Sequence, residues 1–367
     1  MTATDLTRDA PSVRPAPSAG RAKGPTHAYT ELMQQVRAAG LLRRRVGWYV
    51  ALFVVLAALT AALVGVAVAL GQSWWALLVA VGLGVLVAQF GFLSHEASHR
   101  EIFASGRAND RAGQIIGSLV VGASLAQWGR SHVRHHTHPN QIGADPSVAP
   151  GALIFETEEA ARTRGLRARY TRRQGWLLLP LLTLAGVNLY VDGWRAVTRR
   201  GPVAGRWLEL PLMLVRHGGY LALLVWAYPL PLAAAFAVVQ TAVFGLVMGG
   251  AFVPNHIGMP LIAARAKVDY LHRQVLTSRN VRGGWFTTCW MGGLNYQIEH
   301  HLFPSMARPN LARAAELTRT FCTERGLTYT EVPPVAAYAA VVRSLNEIGL
   351  AAARRFDCPT AQVLGRG

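Results

Sequence analysis

The sequence predicts an all-α polytopic membrane protein with two transmembrane hairpins, four spans in total, and a helical cytoplasmic cap that carries a histidine-rich metal centre. Of its 367 residues, 51% are hydrophobic and only 15% are charged, whereas a soluble domain carries about 25% charged residues. Long apolar runs occur in two pairs, and an uncharged turn joins the members of each pair. Three histidine clusters lie next to apolar stretches, which predicts a metal centre at the ends of the spans.

The chain is divided by composition into a tail, a membrane domain and a second tail. Residues 1–28 are rich in Pro, Ala and Arg, which is typical of a disordered segment. Residues 29–330 are assigned to the membrane domain and 331–367 to a C-terminal cytoplasmic tail. The formal net charge of +18 is interpreted as a cytoplasmic face on anionic lipid rather than as a nucleic-acid surface. The same charge would attract an acidic redox partner.

Four apolar runs are long enough to cross about 30 Å of hydrocarbon. They cover residues 46–70, 74–93, 208–228 and 231–253, approximately. The turns Gly71–Ser73 and Tyr228–Pro231 are uncharged, whereas Arg43–Arg45 and Arg100 flank the opposite ends of the first pair. The positive-inside rule therefore predicts that the turns lie outside and that His95 lies at the cytoplasmic mouth of a multi-pass protein of the cell membrane.

Two shorter apolar stretches, Ile115–Trp128 and Trp176–Val191, are too short to span comfortably. If either one crossed alone, the histidine clusters would lie on opposite faces of the membrane. Both are therefore predicted to be interfacial or re-entrant helices. Arg216 falls inside the third span, where it either serves a function or extends its side chain toward the interface.

The three histidine clusters follow helical spacing, i, i+4 in the first and i, i+3, i+4 in the other two, with Gln297 in place of one histidine. Residues three and four apart lie on one face of a helix, so each cluster would present a wall of imidazoles. Neutral imidazole is the commonest transition-metal ligand. With one histidine after the fourth span, the candidate ligands are His95, His99, His132, His135, His136, His256, His300 and His301.

One metal ion takes three or four protein ligands, so eight histidines suffice for two ions. A zinc pair could hydrolyse a substrate, but the sequence shows no arrangement of Ser, Asp or Glu residues suited to hydrolysis. An iron pair can activate O₂ beside an apolar slot that suits an acyl chain. The remaining histidines, His27, His138, His217 and His272, are expected to be ordinary surface or core residues.

The three clusters resemble the histidine boxes of the membrane fatty acid desaturase superfamily, in the forms HxxxH, HxxHH and QxEHH. The stretches Gln274–Asn280 and Gly292–Pro304 resemble actinobacterial acyl desaturases, and the resemblance extends over about residues 88–325. Gln297 is similar to the glutamine of front-end desaturases, which also occurs in bacterial relatives of other regioselectivity. His256, after Asn255, resembles the additional histidine that follows the fourth span in this superfamily.

The resemblance implies a non-haem di-iron centre ligated by the eight histidines, with O₂ as oxidant and two external electrons. The expected product is a cis double bond in a fatty acyl chain carried by CoA, a carrier protein or a lipid. Glu96, Glu299 and Asp145 are predicted to orient the imidazoles as hydrogen-bond acceptors. Gln297 and Asn255 are predicted to be hydrogen-bond partners of the ligands or weak ligands.

Neither a His-Pro-Gly-Gly haem motif nor a Gly-x-Gly-x-x-Gly nucleotide motif occurs in the sequence. A separate ferredoxin, an NAD(P)H-dependent reductase, or both, are therefore expected to supply electrons. Three alternatives remain open: a lipid hydroxylase or oxygenase on the same scaffold, a metal transporter, and a purely structural membrane protein. A transporter would place its ligands near mid-membrane rather than at span ends.

Overall fold

The computed structural model describes residues 25–354, and its side chains from residue 27 to residue 351. Most of the predicted tail at 1–28 lies outside the described residues, as do residues 355–367. The helices are α1 (Pro25–Ala38), α2 (Val46–Leu70), α3 (Ala76–Ser98), α4 (Gly106–Ile115), α5 (Leu125–Thr137), α6 (Thr157–Arg162), α7 (Gly165–Thr171), α8 (Leu178–Thr183), α9 (Ala185–Thr198), α10 (Arg206–Leu214), α11 (Tyr220–Ala227), α12 (Leu230–His256), α13 (Tyr270–Leu276), α14 (Trp285–Trp290), α15 (Gln297–Leu302), α16 (Arg308–Glu324) and α17 (Pro334–Arg354). The strands β1 (Asn280–Val281) and β2 (Glu331–Val332) pair in parallel.

Four helices in the described part of the chain are long and apolar enough to cross a membrane, which confirms the two predicted hairpins. They are α2, α3, the continuous α10–α11 segment and α12. The two inner helices, α3 and α12, pack closely, since a Cβ added to Gly84 would lie 2.7 Å from the Gln240 carbonyl oxygen. The outer helix α2 exposes most of its apolar side chains, which the lipid would cover.

Helix α3 continues five residues beyond the predicted end of the second span and therefore includes the first histidine cluster. The polar side chains of Ser94, His95 and Glu96 are buried by other parts of the protein rather than exposed to water. Because tertiary contacts satisfy these groups, the helix need not end at the limit of the apolar run.

The two shorter apolar stretches do not form spans, as predicted. The first contains a π-helical segment, Ile116–Val121, which Gly122 ends in a left-handed conformation with φ +93°. Arg216, in the π-helical segment between α10 and α11, donates from Nε to the Val120 carbonyl oxygen at 2.8 Å. Its guanidinium lies 4.6 Å from the centroid of the Tyr220 ring. Arg216 thus donates a hydrogen bond to a carbonyl group of the π-helical segment.

The cap consists of α1 and residues 257–354, and it covers the ends of α3 and α12. The apolar face of α16 packs with α1, α13 and α15. Residues 331–354, predicted as part of a tail, form β2 and α17 instead. Tyr338 on α17 donates to the Gly250 carbonyl oxygen of α12 at 2.8 Å, so this segment belongs to the folded body.

Candidate metal centre

Four elements bring the predicted ligands to one place between the spans and the cap. The last turn of α3 carries His95, and His99 follows it directly. Helix α5 carries the second cluster, and its N-terminus is fixed by Glu209 of α10. This buried carboxylate accepts hydrogen bonds from the Ser124 hydroxyl at 2.5 Å and from the Ala126 N–H at 3.1 Å. Such a cap satisfies first-turn N–H groups and favours a negative charge near them.

The remaining ligands come from α15 and from the C-terminal end of α12. Helix α15 is only one and a half turns long, and every residue from Gln297 to Leu302 is buried. Its apolar side chains, Ile298 and Leu302, pack into the cap core with α13 and α16. His300 and His301 of the same helix reach the histidine cluster. His256 is the last residue of α12, and it reaches the cluster from the membrane side.

The histidines form two groups whose ring nitrogens lie within 4.8 Å of one another in each group. The first group contains His95, His99, His132 and His300, and the second contains His135, His256 and His301. His136 lies at the boundary, because its ring stacks on that of His301 with centroids 4.2 Å apart and its Nε2 lies 2.9 Å from the Nε2 of His132. All eight predicted histidines therefore meet at one cluster.

The nitrogen–nitrogen distances fit two metal ions. In the first group Nε2 of His132 lies 3.0 Å from Nε2 of His95 and 2.7 Å from that of His99. Nε2 of His135 lies 3.3 Å from Nε2 of His256 in the second group. Two nitrogens bound at right angles to a metal at 2.0–2.1 Å would lie about 2.9 Å apart. The buried Nε2 atoms of His300 and His301 have no hydrogen-bond partner among the described residues, as expected of atoms free to bind a metal.

The outer nitrogens of the second group are each held by a hydrogen-bond acceptor, which leaves Nε2 facing the cluster. Nδ1 of His135 lies 2.9 Å from Oδ2 of Asp145. Nδ1 of His256 lies 2.9 Å from the Thr277 carbonyl oxygen. Nδ1 of His301 lies 2.9 Å from Oε1 of Gln274. Such partners fix the tautomer and the ring orientation of a metal-binding histidine.

The protonation states also suit metal binding. Burial lowers the pKa of His99 to about 3. Burial, with repulsion from neighbouring rings, holds the pKa values of His132, His136, His300 and His301 well below their usual range. These rings are therefore neutral near pH 7, the form that binds a metal. Burial acts against the ionised form of Asp145, but hydrogen bonds from His135, Ser147 and Asn140 bring the pKa of its carboxyl below the usual value.

Gln297 takes an orientation that the sequence does not specify. The side-chain N–H₂ of Asn255 donates to Oε1 of Gln297 at 3.0 Å and also to the carbonyl oxygens of Ala251 and Leu294. Since Asn255 holds the Gln297 oxygen, the amide nitrogen of Gln297 faces His256, with 2.9 Å between Nε2 atoms. This arrangement favours Gln297 as a hydrogen-bond donor to the site rather than as a metal ligand.

Two predicted carboxylates contact other groups instead of a histidine ring. Glu96 forms a two-point ion pair with Arg308, with both oxygen–nitrogen distances at 2.6 Å. Glu299 accepts hydrogen bonds from Asn280 at 2.7 Å and from Tyr329 at 3.0 Å, and burial raises the pKa of its carboxyl to about 7. Glu96 follows His95 in sequence, and Glu299 precedes His300. Because successive helical side chains point about 100° apart, these carboxylates point away from the cluster.

Other residues around the cluster carry no sequence signal for their roles. Trp128 stacks on His132 with ring centroids 4.1 Å apart, one turn before it on α5. Gln274 lies within a stretch noted for its resemblance, yet nothing in the spacing indicates its bond to His301. Arg308 is far from Glu96 in sequence. His138 and His272 contact Arg273 and Asp269 respectively, and they lie outside both histidine groups.

Two cavities meet the cluster on either side of Trp128 and Phe252, whose side chains line both. One has a volume of about 220 Å³, is mainly apolar, and extends from His95 between α3, α9 and α12 toward Phe244. The other has a volume of about 350 Å³ and lies against His132, His135 and His256.

Comparison with known proteins connects this geometry to a family. The family model for fatty acid desaturases matches residues 72–333. The chain is 29% identical over 276 residues to an acyl-lipid (9-3)-desaturase of Physcomitrium patens, covering 73% of this chain and 52% of the relative. It is 30% identical over 291 residues to fatty acid desaturase 3 of Bos taurus, covering 76% of this chain and 63% of the relative.

A delta(5) fatty acid desaturase of Caenorhabditis elegans is 29% identical over 270 residues, covering 68% of this chain and 58% of the relative. The chain thus spans between about half and two thirds of the length of these three relatives. The family match includes α3, α5, α12 and α15, which carry the histidines described above. This chain therefore belongs to the fatty acid desaturase family.

Proposed function

We propose that the protein is a membrane acyl desaturase that introduces a cis double bond into a fatty acyl chain, using O₂ and two external electrons. The observation that carries the proposal is the apolar cavity of about 220 Å³ that ends at His95. Family membership and the printed names of the relatives support it further. An acyl chain is the ligand whose shape and polarity suit a narrow apolar cavity beside imidazoles.

In this proposal the two histidine groups hold two iron ions, with His136 able to serve either. Bound iron would supply the activation of O₂. The reaction balances when two hydrogen atoms from adjacent carbons, with two electrons from a donor and two protons, reduce O₂ to two waters. The two electrons that remain on the carbons form the second bond of the double bond. Asp145, Gln274 and the Thr277 carbonyl group keep three imidazoles oriented. Trp128 and Phe252 hold two adjacent CH₂ groups beside the ligands and exclude water from them.

The amide nitrogen of Gln297 is placed to donate a hydrogen bond at the centre of the second group. Asn255 fixes this orientation by holding Oε1. A donor there would stabilise an oxygen atom that gains negative charge. Gln297 is thus a positioning residue rather than a ligand in the proposed mechanism.

The electrons are proposed to come from a separate protein, a ferredoxin or an NAD(P)H-dependent reductase. The net charge of +18 supports an acidic donor. The cap, with the cluster beneath it, is proposed to face the cytoplasm of the cell, because basic residues flank the cap side of the first hairpin. The acyl chain would be carried by CoA, a carrier protein or a lipid.

The test is fatty-acid profiling of a host that expresses the chain, together with iron analysis of protein purified without oxygen. The wild type should yield a new unsaturated fatty acid and close to two irons per chain. His300→Ala should lose the product and much of the iron, because a methyl group cannot fill the coordination position. His272→Ala is the matched control, since His272 lies outside both groups.

A hydroxylated product in place of an unsaturated one would refute the proposed reaction, because hydroxylation adds oxygen and desaturation does not. A single zinc per chain would refute the di-iron assignment. Full activity in His300→Ala would show that the cluster is not the site of the chemistry.

A further inference from the structure

A third cavity, of about 1310 Å³, lies between the turn that links α7 to α8 and one face of α17. It shares no lining residue with the two cavities beside Trp128 and Phe252. Its volume exceeds the ~300–1,000 Å³ typical of sites for drug-sized ligands. We call it the α7–α17 groove.

The α7–α17 groove is strongly basic. Arg169, Arg172, Arg173 and Arg343 line it, against one acidic side chain, Glu347. Four positive charges against one negative charge leave an excess of three positive charges. Since planar guanidinium groups bind phosphate through two parallel hydrogen bonds, this lining selects for a phosphate-bearing ligand.

The same groove has an apolar side that no other residue of the described chain covers. Trp176 is 73% exposed, Val335 is 83% exposed and Leu350 is 46% exposed, and all three line it. The neighbouring Leu177 and Leu179 are also exposed. Tryptophan beside exposed aliphatic residues and arginines is typical of the boundary between lipid and water. The groove therefore opens where headgroups meet acyl chains.

The walls of the groove are held in place before any ligand binds. Gly175 packs so tightly on α17 that an added Cβ would lie 2.3 Å from the Val342 carbonyl oxygen. An added Cβ at Gly349 would likewise lie 2.3 Å from the Thr171 carbonyl oxygen. The buried Gln174 donates to the Leu345 carbonyl oxygen at 3.0 Å. A preformed site avoids the entropic cost of ordering its walls on binding.

We propose that the α7–α17 groove binds an anionic glycerophospholipid of the surrounding membrane, with its phosphate among the arginines and an acyl chain over Val335 and Leu350. A water-soluble phosphate compound would not cover the exposed apolar side of the groove. The combination of a basic side and a lipid-facing side therefore favours a phospholipid over such a compound. The proposal does not depend on the chemistry at the histidines.

The experiment uses the full chain, purified in detergent and titrated with phosphatidylglycerol or phosphatidylcholine, with bound lipid counted by native mass spectrometry. The test variant is the double substitution Arg172→Gln, Arg173→Gln. The matched control is Arg164→Gln, Arg167→Gln, which removes two exposed charges from the same region but none from the groove. Removing two cations should weaken phosphatidylglycerol binding roughly 30-fold, and the control should change it less than about threefold.

Three results would overturn the proposal. Equal losses of phosphatidylglycerol binding in the test and control variants would show only a general attraction between the basic protein and the anionic lipid. Equal retention of phosphatidylcholine and phosphatidylglycerol would show that the arginines do not select an anionic headgroup. Undiminished lipid binding in the test variant, combined with weaker binding of an acidic ferredoxin, would assign the groove to the electron donor.

Discussion

Arg308 allows a quantitative test of how the cap is attached to the membrane helices. It reaches from α16 to Glu96 on α3, and both side chains are nearly fully buried, with exposures of 6% and 4%. The Tyr49 hydroxyl lies 3.0 Å from Oε2 of Glu101, which is buried in the same cluster. Burial and the charge of Glu96 hold the pKa of the Glu101 carboxyl well above its usual range.

Arg308→Met keeps much of the side-chain volume and removes the only guanidinium that binds Glu96 in the described structure. Breaking a buried ion pair by removing one partner costs about 3–5 kcal/mol, because the other charge is left without compensation. At roughly 2–4 °C per kcal/mol for a large domain, the thermal midpoint should fall by roughly 6–20 °C.

The measurement is the thermal midpoint of purified protein in one detergent at one scan rate, with iron content as a second readout. Arg313→Met on the same helix is the control, since Arg313 is 67% exposed and should shift the midpoint by no more than about 2 °C. Adding Glu96→Gln to Arg308→Met should recover at least half of the loss, because no uncompensated charge of the pair remains. A midpoint for Arg308→Met within about 2 °C of the wild type would refute the assignment.

Three further predictions concern the centre and its orientation in the membrane. Gln297→Ala should retain most of the iron but lower turnover, and Gln297→His should also retain iron with altered turnover. Metal analysis measures the iron content of both variants. Loss of iron in Gln297→Ala would show that Gln297 is a ligand. Asp145→Asn should weaken iron binding roughly 10–100-fold, because the His135 ring loses the negatively charged acceptor that orients it. An unchanged affinity in a chelator competition would contradict this role. In a background without other cysteines, Ser73→Cys and Ala312→Cys should react with a membrane-impermeant label from opposite sides, and reaction from one side would break the four-span topology.

Much of the fold follows from the sequence because its determinants are local. Hydrocarbon thickness fixes the length of an apolar span, so the four transmembrane helices could be placed within a few residues. Helical periodicity places residues three and four apart on one face, so each histidine cluster could be recognised without coordinates. The sequence therefore predicts the same eight histidines that the structure brings together.

The division of these histidines into two groups depends on the tertiary structure. His132 and His135 are three residues apart on α5, yet the first joins His95 and the second joins His256. Helix α5 passes between the ends of α3 and α12, so two positions on one face meet different neighbours. The spacing of the histidines within α5 cannot predict which group each one joins, because the grouping depends on where the other helices end.

The partners of the buried polar groups were also decided only by the tertiary structure. Glu96 pairs with Arg308, which is 212 residues away, and His301 bonds to Gln274 across the junction of α13 and α15. Sequence proximity instead suggested a histidine partner for Glu96. A buried polar side chain bonds to whatever group the packing brings within about 3 Å, and packing joins segments that are distant in the chain.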